Sequence, residues 1–448
     1  MKIICNKFDF TDILDIVAYK AVNEHARFLF KGHITEDTDE YVLRSSTGQD
    51  VEFTVTDQGG AYKLFNGLIS DISIRNENDM RTLTVCAISR SMLMDIEPET
   101  RTFQDSDMTY QTVTSRMKDK HGIFNFIWPS HGDKAIDSMT VQYEETDWQY
   151  AKRLAGRLGT VVVPDYLLEE PYVSVGILKR PVKQGVEAIS YSIKKDLCAS
   201  PDGLSERCVI SYTVKSREVF DLCDPIPFLE KLLYVYAIDT RYEGSELVHY
   251  YTLKEENGFH TKPVFNKDLI GASLRGNVKE VWQDKVRVDI ADDVKQTQHK
   301  WFPYATPFSQ PNGYGWYFMP EIGDEIRLQF PSENEHDAYV SSAVHVAHDN
   351  RTDPNVKYIR TIYGQVIQFD PGRILIRDGA GSNIALHNGG ISMTTDKTIN
   401  IDAQSDIVLS ASGKVEIAGQ EGVVMQKGSS VINIDDAIDI SSEHTRVQ

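Results

Sequence analysis

Along the C-terminal stretch of the chain, apolar residues recur in pairs. Ile391 and Met393 form the first pair, and Ile399 and Ile401 the second. Ile407 with Leu409, Val415 with Ile417, and Val423 with Met425 continue the run at eight-residue spacing. The phase then slips by one to Ile432 and Ile434, and Ile438 with Ile440 closes it. Each pair is an i, i+2 pair, the period of a strand with one buried face. Turn-prone Asp402, Gly413, Gly419, Gly422 and Gly428 separate the pairs. A single-chain β-helix needs roughly 20 or more residues per coil, so eight cannot close a core. Three intertwined chains, each giving a third of every layer, can. The repeat therefore predicts a thin trimeric β-helix with no free lateral edge.

Upstream, the alternation is also that of strands. Phe28 and Phe30, then Val51, Phe53 and Val55, alternate with polar neighbours. Leu68, Ile69, Ile72 and Ile74 lead across the polar turn Asn76–Asp79 to Leu83 and Val85, a meander or barrel pattern. Two helices interrupt it. Tyr110, Val113 and Met117 share one face of the first, which Gly122 stops. Thr146-Asp147-Trp148-Gln149 is a capping-box start for the second. Its buried stripe is Trp148, Ala151, Leu154, Ala155 and Leu158, and Gly159 sits at C′. Strands resume at Thr160–Val163 and Tyr172–Leu178 and continue to Leu253. Val278, Val286, Val288, Ile326, Leu328 and Phe330 then mark five short strands, the count of a small Greek-key barrel of the OB type.

The fold class expected is mainly β. Residues 1–262 form a hub of two barrel-like subdomains with a helical insertion. Residues 263–348 form an OB-fold barrel, and 349–448 the intertwined trimeric β-helix. A chain of 448 residues has room for three such domains. Its net charge of −19, tripled in a trimer, repels phosphate backbones and argues against nucleic-acid binding. Cys5, Cys86, Cys198, Cys208 and Cys223 include no CxxC pair, which fits reduced structural thiols. The N-terminus shows no signal-peptide pattern, so synthesis in the cytoplasm is expected. No apolar run is long enough to span a membrane as a helix.

Three segments resemble the spike family of contractile injection systems: the VgrG proteins of type VI secretion and the hub-spike proteins of contractile phage tails and phage-tail-like bacteriocins. Tyr143-Glu144-Glu145-Thr146-Asp147-Trp148, continuing to Arg153-Leu154-Ala155 and Gly159, resembles the family's "YxETDxxFxxRLxxxxG" hub signature. Arg101-Thr102-Phe103-Gln104 resembles its "R-x-FQ" step. Gly313-Tyr314-Gly315-Trp316 and Pro320-Glu321-Ile322-Gly323-Asp324-Glu325 resemble the "GxGWGxxxxPRIGxEV" run of the spike OB domain. Glu321 departs from it, standing where the family often has Arg. The short chain and compact N-terminal segment lean toward phage-tail-like bacteriocins.

The resemblance implies a structural spike and hub that joins a sixfold tube and baseplate to a threefold, membrane-piercing needle. Implied partners are two further copies of the chain, tube and baseplate proteins, a PAAR-type tip protein and effector cargo. The target envelope would be contacted mechanically, and the particle would act outside the cell. No cofactor and no catalytic residue are expected. Trp148, Leu154, Trp316, Gly323, Ile399, Ile401, Ile407, Leu409, Val415 and Ile417 are expected to hold the core. Gly313, Gly315 and Gly323 read as turn glycines with positive φ. Glu144-Glu145, Asp292-Asp293 and Asp435-Asp436 read as solvated turn or cap charges, not an acid/base pair. The stretch from His345 to Ile359 is too short for an inserted lysozyme domain. There is no HxH pair for a threefold metal; His444 is a remote candidate ligand, and His345 and His348 are weaker ones. The alternative is a tail spike or fibre that binds or degrades surface polysaccharide. A nucleic-acid-binding OB domain is opposed by the acidic charge.

Overall fold

The computed structural model describes residues 1–35, 42, 44, 48–57, 60–121, 125–136, 138–196, 209–291, 299–310, 312–342, 353–444 and 446. Gly122, Asp292-Asp293, Cys198, Cys208, His345 and His348 lie outside the described residues. The chain divides into two compact units, residues 1–344 and 345–448.

The first unit opens with six strands: β1 (Lys2–Cys5), β2 (Phe10–Ala21), β3 (Arg27–Ile34), β4 (Asp50–Asp57), β5 (Gly60–Glu77) and β6 (Met80–Ile88). The turn from β5 to β6 places Asn78 and Asp79 at φ 52° and 60°. Those are the left-handed values of a tight hairpin whose twist matches its strands. An insertion follows, made of β7 (Glu99–Phe103), α1 (Tyr110–His121), β8 (Asn125–Ile127), β9 (Thr140–Glu145), α2 (Asp147–Arg157), β10 (Val162–Pro164) and β11 (Tyr172–Val175). Five more strands complete the hub: β12 (Ser190–Lys195), β13 (Ile210–Ser216), β14 (Pro225–Phe228), β15 (Lys231–Glu243) and β16 (Glu246–Lys254).

The two strand sets do not stay apart. β2 pairs antiparallel with β15, from Ala21 opposite Ala237 to Val17 opposite Arg241. The result is one 11-stranded sheet with the order β1-β4-β5-β6-β3-β2-β15-β16-β13-β12 and β14 alongside β15. Its inward side chains make one core, in which Ile16, Phe30, Phe53 and Val85 join Val214, Val235, Tyr251 and Leu253. Phe28 packs against Phe53 and Phe65 at ring distances of 4.4 and 5.2 Å. Gly67 of β5 is required by a close approach, since a Cβ there would lie 2.4 Å from the Ile88 carbonyl oxygen.

The insertion has its own core, built from Phe103, Val113, Met117, Trp148, Leu154 and Ala155. α2 starts as its sequence predicts. Thr146 Oγ1 accepts from the Gln149 amide, and the Gln149 side chain accepts from the Thr146 amide at 3.1 Å. It stops where Gly159 takes φ 66°.

The OB barrel comprises β17 (Ser273–Trp282), β18 (Lys285–Ile290), β19 (Trp301–Pro303), β20 (Glu325–Gln329) and β21 (Tyr339–Ser342). They form one sheet ordered β19-β18-β17-β20-β21. Val278, Val286, Val288, Phe302, Ile326, Leu328 and Val340 fill it, together with Met139 and Val141 of the insertion.

Among the described residues of the second unit there are strands and irregular segments but no helix. β22 (Lys357–Arg360), β23 (Val366–Asp370), β24 (Arg373–Arg377), β25 (Asn383–His387) and β26 (Gly390–Thr394) form an antiparallel meander in sequence order. β27 (Val423–Lys427), β28 (Ser430–Ile434) and β29 (Ile438–Ser441) form a second. Ile391 with Met393, and the pairs from Val423 onward, thus pair within the chain. The segment between the meanders contains no strand.

Candidate functional site

Among the described residues there is no group of three or more metal-ligating side chains. A dense cluster of polar side chains lies at the hub signature. β9 and α2 meet at the capped turn Glu145-Thr146-Asp147, so three polar side chains leave the backbone within one helical turn. Asp147 is buried at the helix N-terminus, where a negative charge is favoured. It accepts from Arg101 Nη1 at 2.6 Å and from Gln142 Nε2 at 2.9 Å. Thr146 Oγ1 also bonds Asp95, whose other oxygen meets His25 Nε2 at 3.1 Å. The His25 ring packs 4.4 Å from Trp148.

Arg153, two turns along α2, is only 3% exposed. Its Nε and Nη2 hold the Glu145 carboxylate in a fork, at 2.9 and 2.6 Å. Its Nη1 donates to Glu335 Oε1 at 2.9 Å, and Nη2 also reaches the Val141 carbonyl. Arg157, one turn further, donates to the same Glu335 oxygen at 2.5 Å. Glu335 follows β20 in the OB barrel and is itself buried. Burial works against its charge, but the Arg157 and Arg153 guanidiniums outweigh it and hold the carboxyl below the usual carboxylate range. Burial likewise opposes charge on Arg153, and Glu145 and then Glu335 overcome it. The second motif makes a parallel tie. Phe103 stacks on Tyr150 at 6.1 Å, and Gln104 Nε2 donates to the Val288 carbonyl of β18 at 3.1 Å. The two hub motifs therefore clamp the insertion to the OB barrel.

The expected core residues separate into three groups. Trp148 and Leu154 are buried. Trp316 is not: it is 49% exposed, and Tyr314, Tyr317, Phe318 and Ile322 around it are exposed as well. This corrects its assignment as a core aromatic. The loop that carries it runs between β19 and β20 and includes an isolated bridge from Ser309 to Gly315. Gly313, Gly315 and Gly323 take φ of 82°, 139° and 93°. Ile399, Ile401, Ile407, Leu409, Val415 and Ile417 are all exposed within a single chain. His444 is exposed, and its amide donates to Ser442 Oγ at 3.1 Å. Asp435 accepts from the Asn433 side chain at 2.9 Å and from the Ala437 amide at 3.2 Å, the pattern of a turn charge. Glu145 is committed to Arg153, so the Glu144-Glu145 pair has no free carboxylate couple. The Arg153–Glu335 contact was invisible in the sequence, where 182 positions separate the partners; the Arg in the signature was its only trace.

Substituting Glu335→Gln leaves two guanidiniums facing an uncharged amide. The expected cost at neutral pH is about 3 kcal/mol, since removing one partner strands the other charge. A carboxyl held low in the folded state adds stability above its unfolded value near 4.5, and that stability is lost as pH falls through the lower folded value. The midpoint difference between wild type and variant is thus large at pH 7 and closes below pH 4.5. Equal thermal midpoints at pH 7 would rule the clamp out.

Comparison with known proteins agrees with this geometry. Residues 26–165 match the phage tail baseplate hub family, and residues 274–345 match the type VI secretion system/phage-baseplate injector OB domain. No curated protein matches the chain by sequence. Among solved structures, the chain is similar to the E. coli c3393 protein, described as a component of the type VI secretion system with structural similarity to the T4 bacteriophage tail proteins gp27 and gp5. The identity is 13%, over 76% of this chain and 99% of that one, with a TM-score of 0.54. It is also similar to a chain of the half-lidded Francisella PdpA-VgrG complex, at 8% identity over 86% of this chain and 83% of that one, with a TM-score of 0.55. At these identities the likeness concerns the fold. One mainly β chain thus carries a phage tail baseplate hub match followed by a type VI secretion system/phage-baseplate injector OB domain match, on a fold similar to those of the hub-spike proteins.

Proposed function

We propose that three copies of this chain form the spike of a contractile injection system. The hub meets the tube and baseplate, and the C-terminal unit is the needle that pierces the target envelope. The observation that carries the reading is the segment between β26 and β27. Its three apolar pairs are exposed, and no backbone-to-backbone hydrogen bond reaches residues 396–421 among the described residues. Unpaired backbone beside large apolar side chains is a surface that needs partners. Two further copies supply strands of identical period. The needle's outward Asp, Ser, Thr and Lys are polar, so it acts mechanically and does not dissolve into lipid. Chains are made in the cytoplasm and act outside the cell as part of an assembled particle, with an effector as possible cargo.

Light scattering at micromolar concentration is expected to give three times 50.7 kDa. The double substitution Ile407→Asp/Ile417→Asp places six carboxylates in the interior of that trimer, at a cost of several kcal/mol each. The trimer should dissociate or lose its lower thermal transition while the hub and OB barrel stay folded. A monomeric wild type with a folded tail, or a double variant of unchanged mass and stability, contradicts the reading.

The spike cleaves no glycan. What supports this is that Glu145 is held by Arg153, and Asp435 by the Asn433 side chain and the Ala437 amide. Peptidoglycan zymography should show no clearing; clearing that disappears when one carboxylate is substituted would make the protein an enzyme.

A separate PAAR-type tip protein covers the end of the needle. The last pairs leave Ile438 and Ile440 exposed at the end of the strand run. Deleting Glu443–Gln448 should weaken co-purification of the tip while the trimer persists. End-to-end aggregation with no partner lost would mean that the tail caps itself. About one metal ion per trimer, removed by His444→Ala, would mean that a metal does.

A further inference from the structure

Two side chains that can carry positive charge are buried at the seam between the hub's two strand sets. β2 and β15 pair there from Ala21 opposite Ala237 to Val17 opposite Arg241. Opposed residues project to the same side of a sheet, so inward rows of side chains cross the seam. One row is Ala18 of β2, Thr240 of β15 and His249 of β16. The next is Lys20, Ile238 and Tyr251 on the same three strands. All six are buried, Lys20 at 5% and His249 at 2% exposed. A lysine and a histidine thus face one core from the two sides of the seam.

Their surroundings are poor in free counter-charge. Lys20 Nζ donates to the Leu64 carbonyl of β5 at 2.9 Å and lies 4.2 Å from the centre of the Tyr166 ring. His249 Nδ1 meets Thr240 Oγ1 at 2.8 Å, and its ring stacks on Tyr251 at 5.7 Å. Its Nε2 is buried and bonds to none of the described residues. The other titratable groups around this core come from four elements. They are Tyr62 of β5, Asp165 and Tyr166 between β10 and β11, Asp221 and Asp224 between β13 and β14, and Tyr251 of β16 itself. Burial pushes the three tyrosines up, so they stay neutral. Arg180 holds Asp221 at 3.2 Å and Asp224 at 3.7 Å, and Lys183 holds Asp224 at 3.2 Å. Asp165 accepts from the Leu167 and Leu168 amides.

We propose that this seam is an acid-sensitive joint, closed while His249 is neutral and drawn open as its imidazole takes a proton from solvent. Inside the closed sheet, a protonated His249 adds an unbonded N–H and a second cation to the core that holds Lys20. The nearest carboxylates are already engaged by other groups, so neither cost is offset. Once the seam parts, the imidazole meets water and titrates at its ordinary value of 6.5. In the closed sheet burial, and after it Lys20, hold that value down to about 4. The parted seam therefore binds more protons than the closed one between these values, and its share rises as pH falls from 6.5 towards 4. Lys20 stays charged across this window, since burial lowers its amine only to about 8. It is the fixed charge, and His249 the one that changes. The joint lies within a single chain and needs no partner copy.

Hydrogen exchange of the full-length protein, corrected for the intrinsic pH dependence of amide exchange, tests the joint. Between pH 7.5 and 5.5, protection of residues 17–21 and 237–241 should fall about tenfold, the factor that follows from values of 6.5 and about 4. Protection of β18 and β20 in the OB barrel should hold. His249→Asn keeps a polar atom beside Thr240 but does not titrate, and it should abolish the fall. Lys20→Met lets the His249 value rise, so its fall should be smaller than that of the wild type. A seam whose protection does not change with pH overturns the joint. So does an equal fall in β18 and β20, or a fall that survives His249→Asn. Should the Asn variant not fold, an undiminished fall in Lys20→Met overturns it.

Discussion

One buried carboxylate, Glu335, ties the helix of the insertion to the OB barrel. Taking Arg153 out of water is tolerable only because Glu145 on its own side and Glu335 from the OB barrel surround its guanidinium. A charged cluster of this kind is less stabilising than an apolar contact of the same size, but it is directional. A planar fork accepts two carboxylates only at fixed angles. Apolar packing of Met139 and Val141 against the OB core would allow sliding; the ion cluster does not. The cluster thus trades a few kcal/mol of stability for a fixed orientation between hub and barrel.

The same economy explains why the signature has its particular residues. Glu145, Thr146 and Asp147 are consecutive because a strand ends and a helix begins there. Each faces a different neighbour: Arg153, the helix cap with Asp95, and Arg101. Trp148 and Leu154 supply the apolar face that seats the helix on the insertion core. A motif that looks catalytic by its density of charge is here a joint in which each charge is matched.

The second unit follows the opposite logic. Among its described residues almost no side chain is buried within one chain, Leu375 being an exception. Its information is held in periodicity, in apolar pairs two positions apart. The first unit has cores of its own, whereas the second leaves its apolar pairs exposed.

Local features were legible in the sequence because they depend on neighbours a few positions apart. The capping box at Thr146 and Gln149, the C′ glycine at 159, the strand alternation through Phe53 and Val85, and the five-strand barrel between residues 273 and 342 all read directly from spacing. The two-residue apolar rungs also read directly, since a period of two fixes which side chains share a face. Three matters were left to tertiary structure. The pairing of β2 with β15 sets Ala21 opposite Ala237 and Val17 opposite Arg241, and nothing in either strand names its partner. The Arg153–Glu335 bond likewise depends on where the barrel docks. Trp316 was misread because burial of an aromatic is set by what packs over it, and the middle of the loop between β19 and β20 leaves Trp316 and its aromatic neighbours exposed. Sequence periodicity says that a face must be covered; only the folded register says whether the adjacent strand belongs to the same chain.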